Sequence, residues 1–193
     1  MKDFWKRYSR NRGAVIGLVI LAIVVVVAIL APLVFPQSPW RMVQRPFLPP
    51  LSMDQYPLGT DALGRDVMAG LAYGAQVSLL VGLVSTVAAL LIGIPIGALA
   101  GYFGGWADDA LMRFTEFFQT VPSFALAIVL VAIFQPSIYS IIAAIAIVSW
   151  PPVARLVRGE VLSLRSREYV EAAILSGQKS GTIIMRQVLP NTI

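Results

Sequence analysis

From Gly13 to Phe35 the chain runs without one charged or polar side chain, and the run includes Val24-Val25-Val26-Val27. It is longer than the ~20 residues a helix needs to cross a bilayer. Inside lipid no water reaches the backbone, so its N–H and C=O groups must pair within the segment, which means a helix. A cleaved leader is the competing reading. The run outlasts an h-region of about 7–15 residues, and no small-x-small cleavage site follows it. Residues 13–36 are therefore read as an uncleaved first span behind a tail of residues 1–12.

Further apolar runs extend roughly from Gln76 to Tyr102, from Leu111 to Phe134 and from Ile138 to Val157. Together they place transmembrane helices two to four within residues 76–158. The uncharged turn Gln135-Pro136-Ser137 predicts a tight hairpin between the last two. The chain is 58% hydrophobic and 13% charged, with mean hydropathy +0.78, values of the membrane class. The fold class is thus an all-α polytopic membrane protein.

Charge sets the expected orientation, because Lys and Arg collect on the cytoplasmic side. The tail holds Lys2, Lys6, Arg7, Arg10 and Arg12. The segment after the last span holds Arg155, Arg158, Arg165, Arg167, Lys179 and Arg186. Between the first two spans, residues 37–75 carry Arg41, Arg45 and Arg65 against Asp54, Asp61 and Asp66. The N-terminus and residues 159–193 are therefore expected in the cytoplasm, and residues 37–75 outside. The same rule accounts for the net charge of +5 without nucleic acid. Trp5, Trp40 and Trp106 fall near the expected interfaces and are read as anchors.

Little chemistry is on offer. Without Cys there is no thiolate metal site, and without His the commonest general base and metal ligand are missing. No catalytic, metal or cofactor-binding residue is assigned, and an intramembrane enzyme has almost nothing to work with. The absence of deeply buried charge in the spans also argues against a self-powered carrier.

Gly93, Gly97 and Gly101 form a smooth stripe on the second span. The stripe serves either plain helix packing or a close contact that seals a pathway. Pro95, Pro122 and the pair Pro151-Pro152 are expected to bend their helices. In the outer segment Pro57-Leu58-Gly59 predicts a turn, and Thr60 or Asp61 is expected to cap the helix that follows. Asp61 and Arg65 are spaced for an i,i+4 ion pair. This segment is either a capped interfacial helix or a docking surface.

Beyond the last span the pattern becomes mixed. Ser166 is read as the N-cap of a helix from Arg167 to Ser176, with Val170, Ala173 and Ile174 on one face and Gly177 as its stop. Ser180 is read as the cap of a second short helix through Ile183, Ile184 and Val188, closed by Pro190. Glu171-Ala172-Ala173 makes a slim helix with one charged handle, fit to enter a groove on a soluble protein. A lipid-bound helix is the alternative, weakened by Glu168 and Glu171, which anionic lipid would repel. Gly177-Gln178-Lys179-Ser180-Gly181-Thr182 lacks the spacing of a phosphate loop.

Glu171-Ala172-Ala173, Gly177 and Gln187-Val188-Leu189-Pro190 together resemble the EAA loop of binding-protein-dependent ABC importer permeases. Gly59-Thr60-Asp61 with Gly64-Arg65-Asp66 resembles the outer motif of the dipeptide/oligopeptide/nickel branch, second-subunit type. The resemblance runs along essentially the whole chain. It implies a type I ABC importer transmembrane domain in a bacterial or archaeal cytoplasmic (inner) membrane. Glu171, Ala172, Ala173, Gly177, Leu189 and Pro190 would form the coupling helix and loop that dock on one of two cytoplasmic ATPase subunits. Those subunits would hold ATP and Mg, and this chain no cofactor. A homologous second permease would complete the pathway, and an extracytoplasmic solute-binding protein would deliver peptides, facing the outer motif. Gln187 stands where the family usually has His or an apolar residue. The family carries further spans after the loop, so the resemblance also implies truncation at the C-terminus, after Ile193. Nickel chelates or other small solutes are the alternative cargo. A membrane scaffold recruiting a cytoplasmic regulator is the alternative from another class.

Overall fold

The computed structural model describes Trp5 and residues 8–192; Lys2, Lys6, Arg7 and Ile193 lie outside the described residues. The described residues form helices and connecting loops, with no strand among them. They divide into two compact units, Met1–Leu80 and Val81–Ile193.

In the first unit, α1 (Arg12–Val34) is capped by Asn11, whose side chain accepts from the Ala14 N–H at 3.2 Å. Its 23 residues span about 35 Å, enough for a ~30 Å hydrocarbon layer. Only Ala28 and Ala31 are buried along it, so nearly its whole apolar surface is left for lipid or other helices. α2 (Val67–Phe103) begins in this unit and continues into the other. It starts well before the expected Gln76. The Tyr73 hydroxyl donates to the Phe35 carbonyl at 2.9 Å and ties its second turn to the end of α1.

The cap of α2 differs from the sequence expectation. Asp66 holds it, its carboxylate accepting from the Met68 N–H at 2.9 Å. Thr60 and Asp61 are committed within the preceding loop. At 37 residues α2 measures about 55 Å and outruns the bilayer.

The second unit holds the rest of α2, then α3 (Gly105–Thr120), α4 (Ser123–Ile133) and α5 (Ile138–Leu164). The single third span expected from Leu111 to Phe134 is two helices, bent by 76° at the break that contains Pro122. Proline disfavours helix for the residue before it, and Val121 is indeed extended. The 11 residues of α4 reach only about 16 Å and cannot cross alone. α5 starts after a tight turn, with Gln135 at φ 66° and the Ser137 hydroxyl capping through the Ser140 N–H. It continues past the expected Val157 to Leu164, through Pro151 and Pro152.

The glycine stripe sets how α2 meets α5. Gly93, Gly97 and Gly101 face the carbonyls of Trp150, Ala154 and Arg158 in turn. Both lists ascend together, so the two helices run parallel. From the end of α2 to the start of α5 the chain must travel back roughly 33 Å along the helix axes. The bent α3–α4 pair covers that return, and with it the described residues hold up to four candidate spans.

Candidate functional site

The segment after α5 is built on that parallel pair. α6 (Glu168–Leu175) buries Val170 and Ala173 completely or nearly so. They join Ala98 of α2, Val161 of α5, and Ile183, Ile184 and Val188 in one apolar cluster, with Leu189 packed against it. Ile174 departs from expectation: it lies one turn beyond Val170, at the margin of the buried face, and is 51% exposed. Glu171, Ala172 and Leu175 are exposed with it. The Glu-Ala-Ala triplet is thus split by helix phase, Ala173 being the seat and Glu171 and Ala172 the free face.

The caps also differ from the sequence expectation. Ser166 turns back to donate to the Ser163 carbonyl, and Arg167 takes the N-cap position without a side-chain bond. Glu168 and Glu171 still place negative charge in the first turn, where the helix dipole favours it. At the other end Gly177 sits at φ 74°. Its N–H donates to the Ile174 carbonyl at 2.9 Å, and the Gln178 N–H to the Ala173 carbonyl at 3.2 Å. This pair of bonds is a Schellman motif, and it needs a left-handed residue at that point.

Ser180 is the first residue of α7 (Ser180–Ile183), not its cap, which is Lys179. The chain then widens into a π-turn over Ile184–Val188 and tightens into a 3-10 turn over Leu189–Asn191, so Pro190 lies inside a turn rather than closing a helix. Gln187 Nε2 donates to Gln178 Oε1 at 2.9 Å and links the end of the segment to the loop behind Gly177.

Polar contacts fix the ground beneath α6, and sequence reasoning missed them. Arg165 Nη1 donates to the Gly101 and Tyr102 carbonyls at 3.4 and 3.3 Å, the orphan acceptors at the end of α2. Arg158 grips both carboxylate oxygens of Asp108. The partners lie 50 residues apart, so no local spacing rule could have paired them. Trp150, 3% exposed, stacks on Phe114 at 5.7 Å and meets Phe118 edge-on at 5.2 Å.

The second set of motif residues assembles within the first unit. The Thr60 hydroxyl accepts from the Leu48 N–H at 2.9 Å and donates to the Arg45 carbonyl at 2.7 Å. Gly59 and Gly64 have φ of 72° and 71°, and a Cβ on either would overlap the carbonyl of Leu48 or Gln44. The Val43 N–H donates to the Gly64 carbonyl at 2.8 Å. The motif therefore folds the proline-rich stretch back on itself. Asp61 accepts from the Leu63 and Arg65 N–H groups at 2.8 and 2.9 Å and pairs with Arg65 Nε at 3.0 Å. The Arg65 amide bond, ahead of the Leu63 amide and the guanidinium charge, holds the Asp61 carboxyl below its ordinary value.

Arg65 also lies over the Trp40 ring, 5.4 Å from its centroid. Beside it opens a cleft of about 820 Å³ lined by Trp40, Asp61, Arg65, Asp66, Tyr73 and Val77 among others. Asp66 reaches this cleft as well as capping α2. Among the described residues no group of metal-ligating side chains converges.

Residues 93–193 match the model of the binding-protein-dependent transport system inner membrane component family. Residues 1–50 match the N-terminal TM domain of oligopeptide transport permease C. The chain is 38% identical to the dipeptide transport system permease protein DppC of Alkalihalophilus pseudofirmus, over all of this chain and 63% of that one. It is 37% identical to the oligopeptide transport system permease protein OppC of Haemophilus influenzae, over all of this chain and 62% of the relative. With the Bacillus subtilis dipeptide transport system permease protein DppC the identity is 39%, over all of this chain and 60% of the relative. The chain thus spans about six tenths of the length of these curated relatives.

Proposed function

Because the chain belongs to the family of binding-protein-dependent transport system inner membrane components, we propose that it is a permease subunit of an ATP-driven peptide importer, worked through α6. The observation that carries this reading is the division of α6 into two faces. Val170 and Ala173 weld it to α2 and α5, while Glu171, Ala172, Ile174 and Leu175 stand free on a slim helix. A helix so seated passes a push on its outer face straight into two bilayer-length helices, because close-packed contacts do not compress. An exposed apolar pair beside a carboxylate suits a groove on a soluble protein better than it suits lipid.

On this reading the segment from Glu168 to Pro190 faces the cytoplasm and two ATPase subunits, which bind ATP and Mg. A second, homologous permease completes the pathway. A binding protein delivers cargo from outside, where the loop of Gly59, Thr60, Asp61, Gly64, Arg65 and Asp66 is stiff enough to present a fixed surface. Peptide cargo follows the relatives named as dipeptide, oligopeptide and di/tripeptide permeases.

The test uses the full-length subunit with its companion subunits in proteoliposomes. Peptide-loaded binding protein should stimulate ATP hydrolysis and labelled-peptide uptake. Ala172→Arg, on the free face, should abolish both while leaving the subunit folded. Uptake unchanged in that variant would remove α6 from the mechanism. A partner that binds α6 but hydrolyses no ATP would establish the scaffold reading instead, and nickel uptake without peptide uptake would change the cargo class.

A further inference from the structure

Asp108 and Arg158 join α3 to α5 at the end where the apolar cluster beneath α6 does not include α3. Asp108 lies in the first turn of α3, and Arg158 in the last turns of α5. Arg158 Nε and Nη2 donate to the two carboxylate oxygens at 2.5 and 2.6 Å. The Asp108 side chain is 12% exposed and that of Arg158 35%, so the carboxylate is buried and the guanidinium covers it from the wetter side. Two parallel bonds between planar groups fix orientation as well as distance, which a single ammonium contact does not.

The cluster that seats α6 draws on α2 and α5 and on no described residue of α3. Higher up, α3 meets α5 through the Trp150–Phe114–Phe118 rings and a bond of 2.9 Å from Arg155 Nη1 to Gln119 Oε1. At the end nearest α6, the Asp108–Arg158 pair is the polar link between them.

We propose that Asp108 and Arg158 are positioning residues that form a rigid joint, making the bent α3–α4 pair follow α5 whenever α6 is displaced. The proposal rests on the reading of α6 as the coupling helix. The apolar cluster carries a displacement of α6 into α2 and α5. The ion pair then carries it sideways into α3, and the 76° bend turns it along α4. Without the fork, α3 and α5 slide past one another, and part of each stroke is lost before it reaches the pathway.

The full-length subunit in its complete complex, held in nanodiscs, tests this. The chain has no Cys, so cysteines at Ala110 and Gly159, both exposed, take spin labels on α3 and α5 when the companion subunits lack reactive thiols. The parent should give one narrow inter-label distance, the same with and without ATP. Asp108→Asn and Arg158→Lys should broaden it and lower the peptide moved per ATP by about two- to thirty-fold, the span seen along coupling networks. The exchange Asp108→Arg with Arg158→Asp should restore both. A merely structural role would lower uptake and hydrolysis together, at the parent's ratio. Single variants with that ratio and a narrow distance would overturn the joint. Broadened distances in variants of a parent that shows no ATP-linked uptake would leave the joint standing and remove the coupling reading of α6.

Discussion

Gly97→Ala probes the α2–α5 contact on which α6 is seated. A methyl group there would overlap the Ala154 carbonyl and lie 2.9 Å from the Val157 Cβ. Neither neighbour is the end of a flexible side chain, so relief requires the helices to part. Overpacking of this kind costs about 1–3 kcal/mol. Alanine also gains about 0.8–1.0 kcal/mol over glycine in a helix interior, which hides part of that cost. Gly82→Ala on the same helix removes the ambiguity, because a Cβ there meets nothing within 4 Å. The propensity gain is common to both variants, so their difference isolates the steric cost. At about 2–4 °C per kcal/mol for a domain of this size, the midpoint of Gly97→Ala should fall about 2–12 °C below that of Gly82→Ala. Thermal unfolding of the full-length protein in detergent, followed by size exclusion, measures the gap. Equal midpoints would refute the close approach and, with it, the parallel register.

Gly177→Ala should destabilise by about 1–2 kcal/mol, through backbone strain alone, because no atom lies within 4 Å of the added Cβ. Gly177→Asn should cost less, and thermal unfolding of both variants checks the order. Thr60→Val leaves the buried Leu48 N–H without its acceptor and should cost about 1–3 kcal/mol, with Thr60→Ser restoring the loss in the same assay. The pH dependence of the loop follows from Asp61, whose carboxyl is depressed below 3.8. Its stabilising contribution is fully present above that unfolded value and is lost as pH falls through the lower folded one. Fluorescence of a variant retaining only Trp40, which lies beneath Arg65, should report the change, and Asp61→Asn should abolish it.

The long helices were legible because a bilayer imposes one solution on an apolar run, and α1 and α5 show it plainly. The bend between α3 and α4 was only half legible. Pro122 announces a break, but hydropathy carries no direction and could not supply the angle. The cap of α2 was misread because Thr60, Asp61 and Asp66 all suit an N-cap. The choice fell to Asp66 once the Thr60 hydroxyl was occupied by Leu48 and Arg45, contacts more than ten residues away. Ala172 and Ala173 are chemically the same, and only the seat against Val161 and Val170 tells the buried one from the free one. Asp108 and Arg158 belong to the class of long-range polar pairs that periodicity does not address.

The central claim is that the free face of α6 is held by an ATPase. A photo-reactive residue at Leu175, which is 87% exposed, should cross-link the full-length subunit to an ATPase subunit in the assembled complex. The same group at the fully buried Val170 should not. Adducts from Leu175 with lipid alone, or equal ATPase adducts from both positions, would contradict the account.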